Sequence, residues 1–141
     1  CLANIKGSLK TKGRLKKCFS DDLQAHTDKE QKMSKKQTAG RDHLGTFAPK
    51  FAELNDDVLF GQVWSREAEL APHTRSLITI AALISGGNFE QLPAHLNIGK
   101  QNGITQQEIA EVITHLAFYV GWPKAWSAFN LAKEVYGKQG A

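Results

Sequence analysis

TRSLITIAALISGGNFEQLPAHLNIGKQNGITQQEIAEVITHLAFYVGWP, residues Thr74 to Pro123, decides the fold. From Leu77 to Ile84 nearly every residue is apolar or small, which predicts a helix buried on most sides. Pro72, just upstream, suits a first helical turn, because the N–H it lacks would have no intrahelical partner there. Gly86-Gly87 stops that helix. A second helix follows Asn88, read as its N-cap, and ends at Asn102-Gly103. Pro93 within it predicts a kink or a delayed start. Thr105 and Glu108 have the T-x-x-E spacing of a capping box, which satisfies two backbone donors at a helix start. The helix they open carries Ile109, Val112, Ile113, Leu116, Ala117 and Val120 at helical spacing and ends at Gly121. Pro123 opens a last helix, AWSAFNLAKEVY, closed by Gly137.

Upstream, Pro49 opens another helix whose apolar face is Phe51, Leu54, Val58, Leu59, Val63 and Trp64. No strand pattern and no internal repeat appears. Short connections between these segments predict an all-α helical bundle of about five to six helices. The first helix of the quoted stretch is very apolar for a lone small domain. Trp64, Phe118, Trp122, Trp126 and Phe129 add further hydrophobic surface, so a homo-oligomer is expected.

The chain has 141 residues and a net charge of +4. Residues 1–32 carry eight Lys/Arg against four Asp/Glu, and residues 33–141 carry ten of each, so the whole excess lies in the leading stretch. A neutral globular part removes the main support for nucleic-acid binding. No apolar run approaches the roughly 18 residues of a membrane span. Both cysteines, Cys1 and Cys18, lie in the same leading stretch, and a core without a cysteine framework fits a cytoplasmic protein. Residues 1–42 are read as a loosely structured basic leader, with 1–32 an upstream extension ahead of Met33, and 43–141 as the folded domain.

Five residues are candidates for chemistry. His95 lies on a helix between apolar neighbours, where an imidazole can transfer a proton near neutral pH. The alternative is a buried histidine bonded to nearby backbone. Arg75 stands in the first turn of an apolar helix, where the helix dipole disfavours a cation. Either it binds an anion, for which its planar fork suits a carboxylate, or it pairs with Glu67, Glu69 or a neighbouring subunit. Tyr119 and Trp122, at a helix end before Pro123, either wall a small cavity or close the core. Trp64 carries the same ambiguity. His73, His26 and His43 read as exposed and carry no role. Glu111 and His115 are four apart, but no second pair completes a metal site.

The arginine entering an apolar helix, the histidine on the next, the Thr-x-x-Glu restart and the Phe-Tyr-x-Gly-Trp-Pro exit together resemble the carboxymuconolactone decarboxylase family. The likeness runs from about Phe47 to Tyr136. It implies an AhpD-like helical domain assembled as a trimer or hexamer, with no cofactor. The peroxidase branch of the family places a C-x-x-C pair before the histidine. Here those positions are Asn88 and Gln91, neither of which supplies a thiolate, which argues against thiol peroxidase activity. The other branch implies a lyase acting on a small carboxylated lactone. In that scheme Arg75 holds a carboxylate or oxyanion, His95 delivers a proton, and Tyr119, Trp122 and Trp64 bound the substrate. A non-catalytic oligomeric domain that binds a small acid or a protein is the alternative. Removing residues 1–32 is expected to leave the helical circular-dichroism signal intact; an insoluble or unfolded chain starting at Met33 would overturn this reading of the leader.

Overall fold

A computed structural model describes residues 37–137. The basic stretch 1–32, and with it His26, lies outside the described residues. All regular structure among the described residues is helical: α1 (Ala39–Leu44), α2 (Pro49–Glu53), a π-helical segment (Leu54–Val63), α3 (Pro72–Gly86), α4 (Leu92–Gln101), α5 (Gln106–Val120) and α6 (Trp122–Gly137). The chain divides into two compact units that meet at Gly61 and Gln62.

In the first unit, α1 packs on α2. Four of its residues fall in the stretch expected to be loosely structured. No side chain of its own caps α1. Instead Asp56, which is completely buried, accepts the N–H of Gly40 at 2.9 Å and that of Arg41 at 3.0 Å. The Arg41 guanidinium bridges Asp56 at 3.3 Å and Asp57 at 2.7 Å. Burial by itself would raise the Asp56 carboxyl. Hydrogen bonds from Asn55, Arg41 and Gly40 and the Arg41 charge outweigh that and hold it below the ordinary carboxylate value. The apolar face expected between Phe51 and Val63 is not the buried one. Phe51, Leu54, Val58, Leu59 and Val63 are exposed, and Ala52 and Asp56 are buried. The segment winds wider than an α-helix beyond Glu53, so a face deduced from a 3.6-residue period does not stay on one side.

In the second unit, α3 packs against α4, α5 and α6, whereas α4 and α5, consecutive in the chain, do not pack on each other. Each helix turns a narrow stripe inward: Ser76, Ile80 and Ile84 on α3; Leu92, Leu96 and Gly99 on α4; Ile109, Ile113 and Ala117 on α5. The α6 stripe is Ala125, Ala128, Ala132 and Tyr136, small residues that let neighbours approach closely. Even α3, with three partners, leaves Ile78 and Ala82 exposed, so it is less completely buried than its sequence suggests.

Helices α3 and α4 run antiparallel. A Cβ on Gly99 would stand 3.1 Å from Ile80 Cδ1 and 2.8 Å from Ile104 Cδ1, so a larger residue there would require those two side chains to shift. Three residues on, Asn102 Nδ2 donates to the buried Ser76 hydroxyl at 2.9 Å. The ends are tied by side chains on backbone. Lys124 caps α3 through the Ser85 carbonyl at 2.8 Å, and Tyr136 donates its hydroxyl to the Ile104 carbonyl at 2.9 Å. Gly87 ends α3 in the left-handed region, φ 70°. Helix α4 begins at Leu92, not directly after Asn88, and Pro93 occupies its first turn; the ring removes a donor that would otherwise be unpaired. The Thr105–Glu108 capping box forms as expected, with bonds of 3.1 and 2.8 Å.

Because folding lowers the Asp56 pKa, its contribution is present above the unfolded value of about 3.9 and is lost as pH falls through the folded value. Asp56→Ala at neutral pH, and acid in the native protein, are both expected to lower the hydrogen-exchange protection of the Gly40 and Arg41 amides relative to their intrinsic rates at the same pH. Unchanged protection of those two amides in the variant would remove Asp56 as the cap.

Candidate active site

His95 lies in the first turn of α4 and Arg75 in the first turn of α3. The antiparallel register sets Arg75 beside the Asn102 end of α4. His95, seven residues before Asn102, lies nearer the far end of α3. At 1.5 Å of rise per residue this separates the two by roughly 10 Å along the helix pair. The stretch Trp64–Leu70, between the π-helical segment and α3, bridges that difference.

Trp64 stacks on the imidazole of His95, with ring centroids 6.2 Å apart and planes at 27°, an offset arrangement favourable for π systems. Two residues further on, the Arg66 carbonyl accepts Arg75 Nη2 at 3.1 Å, and the Leu70 carbonyl accepts it at 3.5 Å. Arg75 makes no ion pair with Glu67 or Glu69. Its partners are neutral carbonyls, which leave its charge uncompensated. Arg66 and Glu69 face each other across 4.0 Å on the surface instead.

Two nitrogens in this region are buried without a hydrogen-bond partner: Arg75 Nε and His95 Nδ1. Leaving such a group unpaired costs about 1–3 kcal/mol, and native proteins do so rarely. Here the two atoms belong to the two residues that sequence marks for chemistry. His95 is half-buried, and burial pushes its pKa below the ordinary histidine value. The imidazole is therefore neutral at pH 7 in the free protein, held under an indole and able to accept a proton.

The other candidates lie on α5 and α6. Tyr119 is 76% exposed and packs on His115, with ring centroids 4.9 Å apart. Trp122 is 61% exposed at the start of α6, near the equally exposed Phe118 and Trp126. His73 is not the exposed, uncommitted residue expected: it is half-buried and meets Glu108 at 3.1 Å. The Thr105 N–H and His73 hold the Glu108 carboxyl below its ordinary value, so this pair ties the start of α3 to the start of α5. Sequence reasoning missed the Arg66 and Leu70 carbonyls, since a backbone acceptor leaves no side-chain signature.

These features describe an all-helical domain with a histidine and an arginine presented from adjacent helices. Residues 49–134 match the model of the carboxymuconolactone decarboxylase family, and the chain belongs to that family. It is similar to 4-carboxymuconolactone decarboxylase of Acinetobacter baylyi, with 38% identity over 95 residues, 67% of this chain and 70% of that one. It is also similar to nitrosuccinic acid decarboxylase of Metarhizium robertsii, with 34% identity over 83 residues, 59% of this chain and 57% of the other.

Keeping His95 neutral works against folding in acid. The unfolded chain takes up a proton near pH 6.5, so stability falls as pH drops below that value and levels off past the lower folded pKa. An NMR titration of the His95 ring is expected to give a midpoint below about 6.5. A midpoint above it would mean that a partner charge, not burial, governs the ring.

Proposed function

We propose that this protein is a cofactor-independent carboxy-lyase acting on a small carboxylated lactone of the 4-carboxymuconolactone type. The observation that carries the reading is the pair of unpaired buried nitrogens, Arg75 Nε and His95 Nδ1, in a chain whose relatives are named as decarboxylases. One atom is suited to an anion and the other to a proton.

The chemistry needs an electron sink and a proton source. In such a lactone the ring carbonyl is conjugated through the ring double bond to the carbon that bears the leaving carboxylate. When the carbon–carbon bond to that carboxylate breaks, its electron pair moves through the double bond onto the carbonyl oxygen, giving a dienolate and carbon dioxide. Protonation at the ring carbon beside the carbonyl then restores the lactone with its double bond shifted. Arg75 holds a carboxylate or the developing oxyanion, and His95 supplies the proton.

A neutral imidazole must first gain that proton. The negative charge of a bound carboxylated substrate raises a nearby histidine pKa, so the ring charges when substrate arrives. It then gives the proton to carbon and is recharged from solvent. Trp64 covers the imidazole and limits water, which strengthens these charge interactions.

Tyr119 and Trp122, at the end of α5 and the start of α6, wall the substrate site in this reading. The exposed aromatic surface of Phe118, Tyr119, Trp122 and Trp126 supports a homo-oligomer of the AhpD-like kind, a trimer or hexamer. Among the described residues no helix is long and apolar enough to cross a membrane, and we place the protein in the cytoplasm.

Carbon dioxide release from freshly generated 4-carboxymuconolactone tests the reading. Release is expected from the native protein and is expected to fall at least about 100-fold in His95→Gln, the scale of a lost general acid. A folded protein that releases none moves the function to another small acid or to binding alone. Full turnover in the variant removes His95 from the mechanism.

A further inference from the structure

The stretch Trp64–Leu70 touches both candidate groups and belongs to neither of their helices. Ser65, Arg66, Glu67, Ala68 and Glu69 are all exposed, and only Trp64 and Leu70 are half-buried. Local bonds hold it in turns: Arg66 N–H to the Val63 carbonyl at 3.3 Å, Glu67 N–H to Ser65 at 2.9 Å, and Leu70 N–H to Arg66 at 3.2 Å. The stretch buries little apolar surface of its own, the character of chain that adjusts when a ligand binds.

A donor count shows what moves it. Nη2 of an arginine carries two hydrogens, and on Arg75 it already serves two carbonyls of this stretch, Arg66 at 3.1 Å and Leu70 at 3.5 Å. Nε, which shares a side-on fork with Nη2, has no acceptor. A carboxylate binding that fork with both oxygens takes the Nε hydrogen and one Nη2 hydrogen, so one of the two carbonyls must let go. The exchange is favourable, because a hydrogen bond to an ionised acceptor is about twice as strong as one between neutral groups. Of the two, the Arg66 carbonyl is the one close to Trp64 along the chain, since two residues span at most about 7 Å; a shift at Leu70 reaches Trp64 through the turns between them.

We propose that Trp64–Leu70 is a carboxylate-sensitive strap. A carboxylate that takes the Nε–Nη2 fork of Arg75 displaces a strap carbonyl, and the strap shifts Trp64 on the His95 imidazole. The inference rests on the reading of Arg75 as the carboxylate-binding group of the reaction proposed above. It makes Trp64 a positioning residue, and it gives the site a preference for substrates with a planar carboxylate over neutral or spherical ligands. The ring that must receive a proton is then uncovered or realigned only when the correct ligand is bound.

Trp64 is its own reporter. In Trp122→Phe/Trp126→Phe protein it is the sole tryptophan, and contact with an imidazole alters indole emission. Glutarate, which carries carboxylates and has no group to lose, is expected to change that emission saturably. Glutaramide, and sodium chloride at equal ionic strength, are expected to leave it unchanged. Arg75→Lys keeps the charge and removes the fork, so the response should vanish although circular dichroism shows the helices intact. His95→Gln removes the stacked imidazole and should change the starting emission and shrink the response.

A flat titration with glutarate overturns the strap, whether or not calorimetry detects binding. So does a response that chloride reproduces or that Arg75→Lys retains. Carbon dioxide release from the lactone is measured separately. A glutarate response without turnover keeps the strap and removes the decarboxylase reading. Turnover without a response keeps the decarboxylase and removes the strap.

Discussion

At Gly99, α3 and α4 come so close that a single methyl group would press on Ile80 and Ile104. Much of the second unit follows from that approach. The same antiparallel register sets Ser76 against Asn102, and it places Arg75 and His95 toward opposite ends of the helix pair. Close-packed interiors transmit such constraints, because a shift at the contact has no void to enter. The alanine-rich stripe of α6 allows similarly close packing beside it, and Tyr136 pins the far end to the Ile104 carbonyl.

The register also explains why the site needs more than two helices. Arg75 and His95 do not meet across the α3–α4 contact. They are linked by an exposed, irregular stretch that offers an indole to one and carbonyls to the other. Catalytic groups are commonly carried by rigid elements while the chain that covers them stays adjustable. Here the rigid parts are the first turns of α3 and α4, and the adjustable part is Trp64–Leu70. Both groups keep a buried nitrogen unpaired, a cost that a purely structural arrangement would relieve.

Charge is handled differently in the two units. In the first, the buried Asp56 is compensated from several sides, by backbone N–H groups, by Asn55 and by the Arg41 guanidinium. That carboxylate is structural: its bonds from Gly40 and Arg41 also hold α1. In the second, among the described residues, neutral carbonyls meet Arg75 and an indole meets His95. Compensated buried charge marks architecture, and uncompensated charge marks a place prepared for a ligand.

The sequence by itself determined most of the helices and several of their ends. Pro72, Gly87, the Thr105–Glu108 box and Gly121 act through local backbone chemistry, which the identity of one or two residues settles. It also singled out Arg75 and His95, since a cation in the first turn of an apolar helix and a histidine between apolar neighbours are anomalies visible without coordinates. Tertiary structure decided the rest. Which face of Pro49–Val63 is buried depended on a helix winding that no residue pattern announces. The pairing of His73 with Glu108, the stacking of Trp64 on His95 and the carbonyls that hold Arg75 join positions far apart in the chain or use backbone atoms common to every residue. Local rules write themselves into residue types; contacts across the fold, and those made by the peptide backbone, do not.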